Sequence, residues 1–432
     1  MPDISVFMAK VRLILLSVLA LLFCSCERDG LNVTLSMGPY GKETRQVLLL
    51  YEAGFNSLSN DINRNINVLR QGYLPEKGRN EDVVLVFSHQ TPDNRRVYTQ
   101  DTSPVIYRLY SEHGDPCADT LKAWPAGTPV ANKEMMTEVF NWVREEFPAA
   151  GYGAVFSSHA TGYLPEGYFS NPKQYEGTDR GSSISWSPRF KSFGQEYYSS
   201  GSRTQEMEIR DLAAAIPYKL DYILFDACLM GTVEVAWELR NVCSFLVASP
   251  CEIPSAGLNF RSLTEHLFKP EGPDLQAVCQ DYYDAFGNDS VYGATITLVD
   301  CSRLDPLADV CRDLFRRYRS GIRNLSGANV QVYDRLMGSK RYYAFFDLKD
   351  MLREAGATQA DLAALQDALD EAIVFEAHSS KFIDVKLNRV CGLAMYLPAY
   401  PNYRRDIYHG TEFLDNFYKE NIAWNTATSL VE

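Results

Sequence analysis

An α/β fold, with a mostly parallel sheet between two layers of helices, is predicted by three observations. Short continuous apolar runs, such as Val47 to Tyr51, Val83 to Phe87 and Tyr222 to Phe225, recur through the first half of the chain, as strands buried on both faces do. Stretches with helical spacing separate them, and that alternation is the rhythm of a parallel sheet. Reactive side chains stand where two runs stop: His159 after Gly151 to Ser158, and Asp226 and Cys228 after Tyr222 to Phe225. In open α/β sheets the carboxyl edge is where ligands bind. With 432 residues, 46% of them hydrophobic, the chain can bury a sizeable core.

Residues 1–25 read as an export signal. Lys10 and Arg12 precede an apolar run of eleven, Leu13 to Phe23, which is too short to span a bilayer but suits a signal-peptide core. The Ser25-Cys26 junction resembles a bacterial lipoprotein signal, which implies acylation at Cys26 and attachment to the cell envelope at the outer membrane or cell surface. An ordinary cleaved signal is the alternative, and either one takes the protein out of the cytoplasm. Without residues 1–25 the formal charge moves from -13 to -14. That acidity argues against nucleic acid as a partner and favours basic ones.

Residues 26–44, with Gly30, Gly38 and Gly41, suit a polar tether. A core is expected over 45–255. Val47 to Tyr51 is its first strand, and Ser57 to Leu69 a helix carrying Leu58, Ile62, Ile66 and Leu69 on one face. Val83 to Phe87 and Val105 to Tyr110 are strands, the second expected at an edge, Met135 to Phe147 an amphipathic helix, and Gly151 to Ser158 another strand. Residues 163–206, rich in Gly, Ser, Tyr and Asn, break the rhythm and read as a long loop without elements of its own. Helical spacing returns at Ile209 to Ile216 and Val233 to Arg240, on either side of the Tyr222 strand, and Ser244 to Ala248 is one more strand. Residues 256–432 are expected to form a mixed α/β subdomain packed on the core. Its helices are Leu275 to Phe286, Leu304 to Tyr318 and Ala360 to Phe375, and its strands Ala294 to Val299 and Gly392 to Tyr396.

Side chains alternate along a strand, so Asp226 and Cys228 point the same way. A carboxylate beside a thiol disfavours the thiolate, which makes sense if the carboxylate faces a cationic substrate. A histidine within reach can take the thiol proton during attack on a carbonyl. The N–H groups of Ala160 and Cys228 are the natural oxyanion donors. Each residue also has a bland reading: Cys228 as a small buried hydrophobe, His159 as an ordinary hydrogen-bonded side chain, Asp226 as a cap for backbone amides.

The stretches Ala154-Val-Phe-Ser-Ser-His-Ala-Thr-Gly-Tyr163 and Phe225-Asp-Ala-Cys-Leu-Met-Gly231 resemble the two catalytic motifs of the clostripain family of cysteine peptidases, relatives of the caspases. Arg45 to Leu58, Ser249 to Phe260 and Gly392 to Pro398 resemble further family segments. The resemblance implies a caspase-like three-layer sandwich, Cys228 as nucleophile, His159 as acid/base, and cleavage after arginine or lysine with Asp226 lining the pocket. A carboxylate-to-guanidinium contact is the physical basis for that preference. Glu252 is a second pocket candidate. Ala160 departs from the family's glycine, losing access to positive φ and adding a methyl. Some members mature by self-cleavage, for which Lys173, Arg180, Arg189, Lys191 and Arg203 are the basic positions in the long loop.

The expected partners are therefore peptides with basic residues, and a monomer is expected. A catalytically weak or inactive module binding basic peptides is the alternative, and a hydrolase of non-peptide amides a third reading. No Cys-x-x-Cys or Cys/His spacing points to a metal. The resemblance leaves calcium open as a cofactor, although no EF-hand-like spacing appears.

Overall fold

The computed structural model describes residues 44–78, 82–92, 100–165, 193–197, 204–325, 329–335, 343–398 and 411–432. The signal, Cys26, and the basic loop positions Lys173, Arg180, Arg189, Lys191 and Arg203 lie outside them.

Strand β1 (Thr44–Gly54) leads through helix α1 (Ser59–Leu69) to β2 (Asp82–Gln90). β3 (Val105–Glu112) and β4 (Asp115–Ala123) follow, then α2 (Lys133–Glu146) and β5 (Ala149–Ser157). β6 (Phe193–Tyr197) pairs with β7 (Thr204–Met207), after which come α3 (Ile209–Ala215), β8 (Leu220–Asp226), α4 (Val233–Leu239) and β9 (Cys243–Ala248). The later part holds α5 (Leu263–Leu267), α6 (Leu275–Phe286), β10 (Thr295–Asp300), α7 (Leu304–Arg323), β11 (Phe346–Asp347), α8 (Leu348–Glu354) and α9 (Gln359–Ala372). β12 (Ile373–His378), β13 (Lys381–Phe382), β14 (Val385–Lys386), β15 (Ala394–Met395), α10 (Thr411–Asn421) and α11 (Ala423–Thr428) complete it.

Nine strands make one sheet in the order β12-β10-β9-β8-β5-β1-β2-β3-β4. The five central strands, β2, β1, β5, β8 and β9, are mutually parallel. Antiparallel pairs, β3 with β4 and β10 with β12, flank them. From β1 the chain first steps to β2 on one side, and later places β5 on the other. The direction of winding therefore reverses between β1 and β5, and crevices open at the carboxyl ends of strands at such a point.

Both faces of the central strands are apolar because helices cover both. On one face Leu48, Leu50, Val84, Val86, Val155 and Leu224, all fully buried, meet α1, α5 and α6. On the other, Tyr51, Phe156 and Phe225 meet α2, α3 and α4. Phe156 sits at the centre of that layer, its ring packed on Tyr51, Phe140, Phe193 and Phe225. Each such side chain contributes on the order of 1.5–3 kcal/mol through burial. Polar caps start two of these helices: Asn132 accepts from Met135 N–H at 2.8 Å before α2, and Thr232 from Val235 N–H at 3.2 Å before α4.

Three expectations change. The long loop over 163–206 carries an antiparallel pair, β6 with β7, held against the segment that follows β5 by the Gly194 N–H to His159 O bond of 3.0 Å. Val105 to Tyr110 is not the edge, because β4 pairs outside it. β4 escapes apolar pattern reading because it is polar and mostly exposed, as edge strands are. The helix expected to reach Phe375 ends at Ala372, and the chain passes directly into β12. Residues 256–432 supply β10 and β12 to the same sheet as the first half.

Candidate active site

β5 stops being apolar at Ser157-Ser158-His159, and a turn after β1 packs on that end. Asn56 builds the turn: its Nδ2 donates to Ala53 O at 2.8 Å and Ser158 Oγ at 3.3 Å, and its Oδ1 accepts from Leu58 N–H at 2.8 Å. Ser158 Oγ in turn donates to Ala53 O at 2.7 Å. The turn sets Ser57 Oγ 2.8 Å from Nε2 of the half-buried His159. Ala160 is fully buried and bridges Phe193. The described non-glycine residues at positive φ are His113, Leu229, Ile383 and Ser429, so the position of Ala160 does not require glycine.

β8 ends at Asp226, and the chain turns sharply through Ala227, Cys228 and Leu229. Leu229 has φ 63°, a conformation that costs on the order of 1–3 kcal/mol and persists only where the surroundings hold it. Here Leu229 N–H donates to Cys251 O at 2.9 Å and Gly231 N–H to Ser249 O at 2.8 Å. Gly162, with φ 59°, lies against this turn, and a Cβ there would come within 2.6 Å of Leu229 O. The turn thus projects the half-buried Cys228 thiol into a cavity, where Sγ accepts from Ile253 N–H at 3.4 Å. Burial, then the Glu252 charge and less strongly that of Asp226, push the thiol up to about 12, against the Ile253 amide.

Asp226 lines the same cavity. Its Oδ1 accepts from Leu258 N–H at 3.1 Å, and Gly257, with φ 67°, folds over it so closely that a Cβ would lie 2.3 Å from that oxygen. Burial raises this carboxyl to about 6, with Leu258 N–H, Ser157 and Asn65 pulling the other way. Glu252 also lines the cavity but is already paired, its Oε2 lying 3.3 Å from Arg335 Nη1. Arg335 Nε reaches Asp384 at 2.9 Å.

One cavity of about 320 Å³ therefore brings together Cys228, His159, Asp226 and Glu252 at the carboxyl ends of β5 and β8. Ala160 is not part of its lining. Asn65 and Arg335 are additions that their local sequence does not single out, while Ser57 belongs to the Arg45 to Leu58 segment, which the sequence marked only as a whole. Arg335, Phe382 and Ile383 reach the cavity from the last third of the chain. Among the described residues all eight cysteines are free thiols, and no cluster of His, Cys, Asp and Glu is arranged to hold a metal ion. No described helix is long and apolar enough to cross a membrane. A thiol and an imidazole facing one cavity, with carboxylates beside them, can perform acyl transfer on a cationic substrate.

Comparison with known proteins agrees with this chemistry. The chain is similar to an inactive zymogen C11 protease from Parabacteroides distasonis, with TM-score 0.71 and 24% identity over 90% of this chain and 99% of that one. It is also similar to a secreted C11 cysteine protease from Bacteroides thetaiotaomicron solved with an irreversible peptide inhibitor, with TM-score 0.69 and 22% identity over 89% and 99%. At these identities the likeness speaks for the fold. No curated protein matches the sequence. The Clostripain family model matches residues 50–428, so the chain belongs to the clostripain family and is a cysteine peptidase with a caspase-like α/β fold.

Proposed function

We propose that this peptidase cuts polypeptides after arginine or lysine through Cys228 and His159. The observation that carries the reading is the shared cavity, in which the thiol, the imidazole and the Asp226 carboxyl face one space. The P1 cation pairs with Asp226, and a charge-assisted, bidentate contact favours a guanidinium. Cys228 attacks the scissile carbonyl as His159 takes its proton, and the backbone N–H groups of Ala160 and Cys228 receive the oxyanion. His159 then protonates the departing amine, and afterwards draws a proton from the water that hydrolyses the acyl-enzyme. Glu252 supports the pocket through its field while remaining tied to Arg335. Maturation by cleavage after Lys173, Arg180, Arg189, Lys191 or Arg203, and lipid attachment at Cys26 in the cell envelope, belong to the same proposal.

A second reading, a weak or inactive module that binds basic peptides, is favoured by the resting state of the site: the thiol is held protonated and Ser57 engages His159 Nε2. One experiment separates the two. Fluorogenic peptides with Arg, Lys, Asp or Ala at P1 are offered to wild type and Cys228→Ala, and the intact mass of both proteins is recorded. Turnover of Arg or Lys peptides by wild type alone, with an acyl mass at Cys26 and a cut among the five basic positions, is expected. Binding of basic peptides without turnover supports the module, and full activity of an uncut chain rejects maturation.

A further inference from the structure

The floor of the cavity continues into the sheet as a row of polar residues. Ser88 on β2, Glu52 on β1, Ser157 on β5 and Asp226 on β8 stand opposite one another in register. One step earlier on the same face, Val86, Leu50, Val155 and Leu224 are apolar and fully buried. The row therefore interrupts an otherwise dry layer at the level of the cavity. Asp226 and Ser157 line that cavity, and Glu52 stands one strand further in. It is about 10 Å from Asp226 between Cα atoms, two strand spacings.

Glu52 is 1% exposed and Ser157 equally buried; neither Glu52 carboxyl oxygen makes a hydrogen bond of ordinary geometry, nor does the Ser157 hydroxyl, which stands between the Glu52 and Asp226 carboxyls in the row and favours the ionised form of each. Buried polar groups are nearly always satisfied, so adjacent groups without such a bond at a cavity floor call for a function. An isolated buried carboxylate is too costly to keep, so the group is a neutral acid. Burial and then the Asp226 charge push it well above the ordinary carboxyl range. As a neutral acid its carbonyl oxygen can accept the Ser157 hydrogen. Ser157 would then turn its lone pairs toward the cavity.

That orientation distinguishes two cations. Asp226 already spends Oδ1 on Leu258 N–H, so a further acceptor beside it helps the cation with more donors. Guanidinium carries five N–H donors in a rigid plane and can engage Asp226 and Ser157 together, whereas ammonium is a compact, strongly hydrated point charge. We infer that Glu52, acting through Ser157, is a positioning residue that makes this pocket prefer arginine to lysine. The inference rests on the reading of Asp226 as the P1 carboxylate.

The test compares matched Arg and Lys peptides on wild type, Glu52→Met, Glu52→Gln, Ser157→Ala and Asp226→Asn. Wild type is expected to favour arginine. Glu52→Met and Ser157→Ala should each lower kcat/KM for arginine about tenfold, the size of one hydrogen bond to a charged group. The loss falls mainly in KM and leaves lysine nearly unchanged. Glu52→Gln, which keeps an acceptor for Ser157, should restore the wild-type ratio. A merely structural Glu52 would move the melting temperature and not this ratio. An unaltered Arg/Lys ratio in folded Glu52→Met, or equal cleavage of both peptides by wild type, overturns the inference. Ser157→Ala carries the test alone if Glu52→Met does not fold. Full arginine cleavage by Asp226→Asn would instead overturn the reading of the pocket beneath it.

Discussion

Replacing Asp226 with asparagine should strengthen the fold while disabling the pocket. The carboxyl titrates at about 6 in the folded protein against an ordinary 3.8. That difference of about 2 pH units corresponds to roughly 3 kcal/mol. The sign follows from which state holds the proton. Between the two values the folded chain binds a proton that the unfolded chain has released, so stability falls as pH rises from 3.8 through about 6. Asparagine never ionises and keeps an oxygen for Leu258 N–H, so it escapes the loss. In a Cys228→Ala background, which prevents self-digestion, Asp226→Asn should match its parent below about pH 4 and exceed it by up to about 3 kcal/mol above pH 6. Urea unfolding followed by tryptophan fluorescence across that range reads the difference. With Cys228 present, the same substitution should cost arginine peptides about thirtyfold or more in kcat/KM, since it deletes one partner of a buried charge pair. Parallel stability curves at every pH would refute the raised carboxyl, and intact arginine cleavage would refute its place under the substrate.

Two further outcomes follow from the same electrostatics. KM for arginine and lysine peptides should rise as pH falls through about 6, because protonated Asp226 no longer attracts the cation, and an alanine peptide should not share this acid limb. Glu252→Gln should speed iodoacetamide alkylation of Cys228 at pH 8, since it removes the largest charge that raises the thiol; an unchanged or slower rate would contradict that assignment.

Much of the first half was legible because parallel strands are buried twice and therefore apolar throughout. β1, β2, β8 and β9 each enclose the run read for them, and β5 holds all of Gly151 to Ser158 except its last residue. Helix α6 begins and ends where its spacing placed it, at Leu275 and Phe286. β4 was invisible because only one face of an edge hairpin needs apolar residues, and its exposed pattern carries few. β11, β13 and β14 are two-residue pairings fixed by tertiary contacts, too short for any periodicity, whereas β15, equally short, lies inside the Gly392 to Tyr396 run read as a strand. In the cavity, His159, Asp226 and Cys228 stood out because they terminate apolar runs. Glu52 gave the same signal, a carboxyl directly after Val47 to Tyr51, and only the register of β1 against β5 gives it meaning. Arg335 gave none, since it meets Glu252 across 83 positions of sequence.

The cavity also imposes an order in time. Its thiol belongs to a strand-end turn at residue 228, but its wall includes Arg335, Phe382 and Ile383, and the sheet beside it is completed by β10 and β12. At ribosomal speeds of about 5–20 residues per second, the nucleophile exists for roughly 10–30 s before the last of that wall is made. During that interval the chain carries a cysteine without a finished pocket to direct it. Threading the wall through the distal part of the chain defers a finished pocket until residue 383 has been made, so a product truncated before it would carry the nucleophile without the wall that directs it.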